Sequence, residues 1–333
     1  MRRREGCPYD GRLRDEPVIP DWGIQVIAVL VVIVFSPLFK GVINRWKARL
    51  QSRRGPPYLQ PYYDLRKLFR KDMVVSRHAS WVFHLVPLVY FAVPIVFATL
   101  IPVLSAYPLP LAEMADILGS GFVLALGGFF ISLGALDAAS TYGGMGSSRA
   151  RVVSFLSEPV LILVFFTVAL VAQTDLPFFV NRALVAPLNI ISPAHLLAAV
   201  AFFMVVLAET GRIPVDNPAT GTELSMIDGA RILEYSGPEL ALLEWGSAMK
   251  MFVLLTVLLN VLIVPAGLTY DGQPLHVLIA IVTLLLKMLG ISAVIVAIES
   301  TYAKLRFFRI PEFLGVAFVL SLLALITYHF TKG

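Results

Sequence analysis

Eight apolar runs recur along this chain of 333 residues, and they restrict its possible folds more than any other feature. A helix needs roughly 20 apolar residues to cross the hydrocarbon core of a membrane. Only 15% of the residues are charged, whereas soluble domains have roughly a quarter. We therefore predict an all-α integral membrane protein, a bundle of about eight transmembrane helices. The predicted spans cover residues 22–39, 81–104, 117–139, 152–171, 194–207, 248–264, 275–298 and 311–330.

The fifth predicted span is short, and we expect its helix to draw on residues 209–213 or on residues before Pro193. Residues 1–21 are predicted to form a polar N-terminal tail. Residues 22–333 are predicted to form one transmembrane domain.

Two predicted connections, at about 40–80 and 209–247, are too long to be simple turns. The first carries ten Lys and Arg side chains, and the connections after the third, fifth and seventh spans are also basic. Because basic residues favour the cytoplasmic side, we predict two cytoplasmic loops in a multi-pass protein of the inner (cytoplasmic) membrane. The five arginines of the N-terminal tail argue for the reverse orientation, but the loop pattern repeats along the chain.

Redox and hydrolytic chemistry is not visible in the sequence. Cys7 is the only cysteine, which excludes an internal disulfide and any cysteine-ligated iron–sulfur cluster or zinc site built by this chain alone. The five histidines are scattered, and the sequence lacks phosphate-binding, dinucleotide-binding and nucleophile-elbow motifs. We expect no catalytic residues, no metal and no cofactor in this chain itself.

Residues 208–250 place seven carboxylates between two apolar runs. Carboxylates at membrane depth are costly unless protons, water or counter-charges serve them, so they mark a candidate proton or ion path. Asp228, Arg231 and Glu234 follow a helical spacing, which an ordinary surface ion-pair ladder would also produce. The residues that we assign to the path are Glu158, Glu209, Glu223, Asp228, Glu234, Asp137 and Lys287.

Three of these residues lie within predicted spans, and of these Asp137 lies near the cytoplasmic end of the third. Glu158 precedes Pro159, whose missing N–H frees a backbone carbonyl and lets water or a carboxylate enter the helix. Lys287 lies near the middle of the seventh span, where an uncompensated lysine costs ~2.5–3.5 kcal/mol, so we expect a carboxylate or water as its partner. Glu299 and Glu312 lie at helix ends, and we expect them to be solvated.

The first long loop contains a predicted short amphipathic helix at residues 62–72. Gly55, Pro56 and Pro57 favour a non-helical entry, and Pro61 suits a first helical turn. The helix alternates aromatic and leucine side chains with basic ones. It is predicted either to lie on the membrane surface or to bind a partner, and the two interpretations are compatible.

Both long loops carry a family resemblance. Residues 55–72, GPPYLQPYYDLRKLFRKD, resemble the first cytoplasmic loop of the subunit-1 family of respiratory complex I. AETGRIPVDNP at 208–218 and EYSG at 234–237 resemble the second signature of that family. The segments RIPVDNP and LALLEWGSAMK are similar to segments of the membrane subunit of formate hydrogenlyase and related group 4 nickel–iron hydrogenases.

The resemblance implies a non-catalytic membrane anchor that couples electron transfer in a soluble hydrogenase arm to proton or sodium translocation. Implied partners are the hydrogenase large and small subunits and an iron–sulfur subunit at the cytoplasmic loops, with antiporter-like subunits in the bilayer; nucleic acid is not expected. Iron–sulfur clusters and the nickel–iron site would belong to partners. By position, the resemblance assigns Gln60, Asp64, Arg66, Lys67, Lys71, Arg212 and Asp216 to a docking or quinone-like cleft.

Two alternatives stay open. The first is a quinone-site-forming subunit of a complex I-type NADH or ferredoxin:quinone oxidoreductase. The second is a stand-alone transporter, which the large charged loops and the lack of an obvious internal repeat argue against.

Overall fold

The computed structural model describes residues 19–107, 109, 116–174, 176–184, 192–218 and 225–332. Within these ranges the regular structure is helical, apart from a single bridge between Ser105 and Thr269. The helices are α1 (Asp21–Leu50), α2 (Gln60–Leu68), α3 (Trp81–Leu100), α4 (Ile117–Asp137), α5 (Thr141–Ala172), α6 (Pro177–Leu184), α7 (Pro193–Glu209), α8 (Asp228–Arg231), α9 (Gly237–Val257), α10 (Pro274–Thr301) and α11 (Ile310–Lys332). A π-helical turn, Leu258–Ile263, continues α9, and a 3₁₀ turn, Phe307–Arg309, precedes α11. The all-α membrane fold is confirmed.

Seven helices in the described part of the chain are long and apolar enough to cross a membrane: α1, α3, α4, α5, α9 with its π-helical turn, α10 and α11. The remaining predicted span, the fifth, corresponds to α7, an apolar helix of 17 residues. Of the two predicted extensions, the helix takes in Glu209 but not residues 210–213, since Thr210 is its C-cap, and it begins at Pro193 with Ser192 as its N-cap.

Three helix ends extend well beyond the predicted spans. Helix α1 continues to Leu50, α5 begins at Thr141, and α9 begins at Gly237. Apolar runs predict only the part of a helix that contacts hydrocarbon, whereas backbone hydrogen bonding continues through the polar turns beyond it. The two long connections are therefore 51–80 and 210–236, shorter than predicted.

Helix α9 lies at the centre of the bundle, since 89% of its apolar stretch is buried, whereas 28% is buried in α11. It packs against α1 and α3, and α4 and α5 follow outward from α3. Helices α5, α7 and α11 pack against one another on the other flank, and α10 packs along α1. The large buried rings of Phe97, Phe165, Phe202 and Phe252 fill the interior.

Four connections gather on one side of the bundle, here named the loop side: 51–80, 138–140, 210–236 and 302–309. Val74 N donates to Ser236 Oγ (2.7 Å), which joins connection 51–80 to connection 210–236. Leu305 N donates to Pro214 O (2.8 Å), which joins connection 302–309 to connection 210–236. These contacts build one continuous surface from segments far apart in sequence.

The predicted amphipathic helix is present as α2, with Pro61 in its first turn, but it starts at Gln60 and ends before Asp72. It lies against α1 at Gly41, where a Cβ atom would collide with Tyr58 O. The glycine therefore permits this close approach of the loop to α1.

On the opposite side, two helices end early and their chains continue without helical structure. Helix α3 ends at Leu100 and α9 with its π-helical turn ends at Ile263. The chains that follow pair with each other, as Thr269 N donates to Leu104 O (2.8 Å) and Ala106 N to Thr269 O (2.9 Å). Non-helical backbone at membrane depth is tolerated where protein covers it or a polar cavity adjoins it.

Candidate ion path and docking surface

Glu209 stands at the centre of a largely buried polar group. Its Oε2 atom accepts a hydrogen bond from Lys250 Nζ at 2.8 Å, and the Ser157 hydroxyl donates to its Oε1 atom. The three residues come from α7, α9 and α5, so the last turn of α7 delivers the carboxylate between two long helices. A carboxylate buried here is tolerated because a cation and a hydroxyl satisfy it.

Glu158 follows Ser157 in α5 but faces outward, and it is exposed on the isolated chain. A cavity between α4 and α5 connects it to Glu209 and Lys250. Gly121 and Gly128 of α4 line this cavity, and their missing side chains leave the space between the helices. Glu158 and Glu209 are therefore linked by a cavity rather than separated by packed side chains.

A second, smaller cavity continues from Glu209 toward the loop side. Asp216, Asp228 and Arg231 line it together with Glu209 and Lys250. Asp216 accepts from the Ile227 and Asp228 backbone amides, each at 3.1 Å, and pairs with Lys304 at 2.6 Å. Arg231 and Asp228 form an ion pair across α8. Polar groups thus continue from the loop side to the membrane interior.

Glu299 lies at a third buried position, at the loop-side end of α10. Its side chain has no exposed area and pairs with Lys47 Nζ at 2.8 Å and Arg212 Nη1 at 3.0 Å. Arg212 is also buried and contacts Met251 Sδ at 3.2 Å. The expectation that Glu299 is solvated is wrong, because α1 extends to Leu50 and covers it with Lys47; Glu312 is exposed as expected.

A cleft of about 310 Å³ opens between α1, α2 and α9 on the loop side. Gln60 Nε2 donates to Asp64 Oδ1 at 2.8 Å on one wall, and Lys40 pairs with Glu244 within the same cleft. The Trp245 ring contributes an apolar face, and its Nε1 atom donates to Ile33 O at 3.0 Å. The arrangement suits an elongated ligand or a partner segment with both apolar and polar groups.

Residues 23–329 match the family model described as NADH dehydrogenase. The chain belongs to the NADH dehydrogenase family. Hydrogenase-4 component C of Escherichia coli K12 is 32% identical over 296 residues, which are 89% of this chain and 92% of that protein. Formate hydrogenlyase subunit 4 of the same organism is 32% identical over 307 residues, which are 91% of this chain and 97% of that protein.

The fold has a solved counterpart. A chain in the structure of the membrane-bound sulfane sulfur reductase, an archaeal respiratory membrane complex, superposes with a TM-score of 0.77 at 21% identity. The match covers 93% of this chain and all of that one (100%). The predicted family, and the predicted likeness to the formate hydrogenlyase subunit, are confirmed.

Three of the seven predicted path residues lie at the two cavities, and three others lie apart from them. Glu158, Glu209 and Asp228 adjoin the two connected cavities. Glu234 lies in the turn after α8, off the predicted helical face, because α8 ends at Arg231. Glu223 lies outside the described residues.

Two further path residues lie apart from these cavities. Asp137 accepts from both the backbone amide and the hydroxyl of Ser80, each at 2.8 Å, and so joins α4 to the start of α3. Lys287 lies near the opposite side, where its ammonium contacts Asn260 Oδ1 and the carbonyl oxygens of Val264 and Ala266. The sequence predicts a carboxylate or water as the partner of Lys287; among the described residues its partners are neutral oxygens at and after the end of α9, and none is a carboxylate.

The residues predicted to form the docking or quinone-like cleft fall into two groups in the structure. Gln60 and Asp64 line the cleft, and Arg66, Lys67 and Lys71 are exposed on and after α2. The placement of Arg212 and Asp216 in this cleft is wrong. Both are buried in the ion pairs with Glu299 and Lys304, since residues 210–216 fold back beneath α7.

Sequence reasoning missed four members of the buried network: Lys47, Lys250, Lys304 and Glu299. Only Lys250 could have been identified from the sequence. It lies in a helix that continues into an apolar run, and a lysine in such a position needs a counter-charge. The other three are brought together by contacts between segments distant in sequence.

Tyr235 borders this network on the loop side. Its ring stacks on Phe83 with 4.0 Å between centroids, and its hydroxyl donates to Phe83 O at 3.3 Å. Burial raises the pKa of the Tyr235 hydroxyl, and the neighbouring Glu239 raises it further. Tyr235 therefore stays a neutral hydrogen-bond donor.

No group of three or more His, Cys, Asp or Glu side chains within the described ranges is arranged to hold a metal ion. The acidic residues of the network are instead paired with lysine and arginine side chains.

Proposed function

We propose that this chain is the ion-coupling membrane anchor of a membrane-bound nickel–iron hydrogenase complex of the formate hydrogenlyase type. One observation carries the proposal: a series of buried, charge-compensated carboxylates and connected cavities runs from the loop side to Glu158. The chain has no catalytic centre in this proposal. Its likeness to hydrogenase-4 component C and formate hydrogenlyase subunit 4 supports the hydrogenase assignment.

The proposed path passes from Asp216 and Asp228 through Glu209 and Lys250 to Glu158. Each step shares a cavity with the next, and Glu209 and Lys250 line both cavities together with Gly128 and Ser154. Glu158 is exposed on the isolated chain. A carboxylate on the lipid-facing surface is costly, so a neighbouring membrane subunit, of the antiporter-like kind, would cover it and receive the ion.

The proposed docking surface is the basic part of the loop side. Arg66, Lys67, Arg70 and Lys71 are exposed on and just after α2. A row of cations beside a cleft favours a partner with acidic groups at its margin. The soluble arm, with an iron–sulfur subunit and the large and small hydrogenase subunits, would bind here on the cytoplasmic face of the inner membrane.

Ion coupling is tested in inverted vesicles that contain the assembled complex. Glu209→Gln and Glu158→Gln are each expected to preserve dihydrogen evolution while reducing proton uptake per turnover at least tenfold. Glu312→Gln, which removes an exposed glutamate in the first turn of α11, is the matched control and should leave the ratio unchanged. Normal proton-to-dihydrogen ratios in both path variants would rule the path out.

Docking is tested by charge reversal on the basic surface. Lys67→Glu with Lys71→Glu should release the hydrogenase subunits from the membrane at salt concentrations that the wild type tolerates, because exposed interface charges are screened by salt. Glu312→Lys, a charge reversal at an exposed position, is the control. Retention of the arm at equal salt would exclude this surface.

A second candidate function rests on the cleft between α1, α2 and α9. Its volume of about 310 Å³ and its mixture of Gln60, Asp64 and Trp245 would also suit a quinone headgroup. The Lys40–Glu244 ion pair within the cleft is less suited to it, since a quinone would have to displace that pair or pass it. Affinity purification in mild detergent separates the two: nickel–iron subunits with dihydrogen evolution support the first function, and bound quinone with quinone reduction supports the second.

A further inference from the structure

The ammonium group of Lys287 occupies an oxygen cage at the broken end of α9. Its Nζ atom lies 3.0 Å from Asn260 Oδ1, 2.7 Å from Val264 O and 2.5 Å from Ala266 O. All three ligand atoms are neutral oxygens. Ionisable residues at membrane depth pair with one another or with backbone carbonyls, and Lys287 has partners of the second kind.

The cage exists because α9 ends within the bundle. The π-helical turn stops at Ile263, and Pro265 cannot donate a backbone hydrogen bond, so the carbonyls of Val264 and Ala266 point away from helical donors. Asn260 is oriented independently, since its Nδ2 atom donates to Pro102 O and Val103 O, both at 3.0 Å. Its Oδ1 atom is thereby turned toward Lys287.

Other helices hold the same backbone segment without the help of Lys287. Asn181 Nδ2 donates to Asn260 O and, at 3.4 Å, to Pro265 O. His195 Nε2 donates to Leu262 O at 2.6 Å. Segment 260–266 is therefore fixed by the chain that follows α3 and by α6 and α7, and its oxygens should keep their places when the lysine is removed.

Unwound backbone carbonyls at broken helices are the groups with which membrane proteins coordinate alkali cations. We propose that this cage is an alkali-cation site that the chain fills with its own tethered cation, the Lys287 ammonium. The absence of a carboxylate among the three ligands suits a single positive charge, because divalent cations recruit carboxylates. On the isolated chain Lys287 is partly exposed and Val264 and Ala266 are exposed.

The proposal concerns a site outside the path from Asp216 to Glu158, so it stands or falls independently of the proposed function. Its physical consequence is that Lys287 excludes sodium and potassium from a position that would otherwise bind them. Removal of the side chain should expose a cation requirement that the natural chain does not have.

The proposal is tested with the full chain in nanodiscs. Wild type, Lys287→Ala and Lys287→Met are melted in sodium chloride, potassium chloride or choline chloride at equal ionic strength. Lys287→Ala should have a lowered Tm in choline and regain it saturably with sodium or potassium. Wild type should not respond, and Lys287→Met, which fills the space without a charge, should be lowered in all three salts. Lys67→Ala, a truncation of an exposed lysine, is the control for charge loss.

Direct binding gives the second readout. Radioactive sodium should bind Lys287→Ala with a stoichiometry near one above wild type and be displaced by unlabelled alkali salt. If the alanine variant cannot be purified, Lys287→Ser retains the cavity and adds one oxygen ligand. The proposal is overturned if the variant that is obtained, alanine or serine, shows no Tm response to alkali salts. It is also overturned if that variant binds no more sodium than wild type.

Discussion

Replacement of Glu299 by glutamine should be among the most destabilising single changes on the loop side. The carboxylate has no exposed area and touches two cations, at 2.8 Å and 3.0 Å, of which Arg212 is 5% exposed at its side chain. Glutamine keeps the shape but leaves Lys47 and Arg212 facing each other without an anion. Removal of one partner from a buried ion pair costs about 3–5 kcal/mol, and we expect a loss in that range.

The assay is reversible unfolding in mixed micelles with increasing sodium dodecyl sulfate, followed by tryptophan fluorescence. Glu312→Gln is the matched control, since Glu312 is exposed in the first turn of α11 and its change should stay within about 0.5 kcal/mol. Lys47→Met should cost less than Glu299→Gln, because Arg212 continues to neutralise the carboxylate. A loss for Glu299→Gln as small as that of the control would refute the buried triad as a stabilising unit.

Three further changes can be measured by the same unfolding assay. Lys250→Met should cost about 3–5 kcal/mol because it leaves Glu209 largely buried without its cation, and Glu209→Gln in the same chain should restore part of the loss. Gly146→Ala should cost about 1–3 kcal/mol, since its Cβ atom would meet Ala230 Cβ at 2.6 Å, whereas Gly144→Ala, with open space around it, should be neutral or stabilising. Ser80→Ala should cost about 1 kcal/mol, as the hydroxyl caps α3 by accepting from Val82 N; an unchanged midpoint would mean that this cap is dispensable.

The helices could be predicted from the sequence, but their ends could not. Apolar runs mark the segments that contact hydrocarbon, and each of the seven long helices and α7 coincides with such a run. The polar turns that carry α1 to Leu50 and start α9 at Gly237 continue the helical hydrogen bonds outside the hydrocarbon. A hydropathy pattern has no means to detect them.

The acidic half of the candidate path could also be predicted, whereas its basic half could not. A carboxylate beside an apolar run is visible in one dimension, and Glu209 and Glu158 are identifiable in this way. Lys47 and Lys304 lie in or near basic segments of the loop side, where nothing local distinguishes a buried lysine from a solvated one. Only the packing of α10 and of residues 210–216 against them turns these lysines into partners.

The pairing of each buried carboxylate also limits how an ion could move. Glu209 can accept a proton only when its bond to Lys250 weakens, because the ammonium at 2.8 Å favours the charged carboxylate. In the proposed path, protonation of Glu209 and release of Lys250 are therefore one event, and the released ammonium has Asp228 in the same cavity as its next counter-charge. Glu158 has no ion-pair partner among the described residues, and in the proposed path it would exchange protons through the subunit that covers it. Such a path would conduct only when the loop side moves a charge, which is the coupling that we propose for this chain.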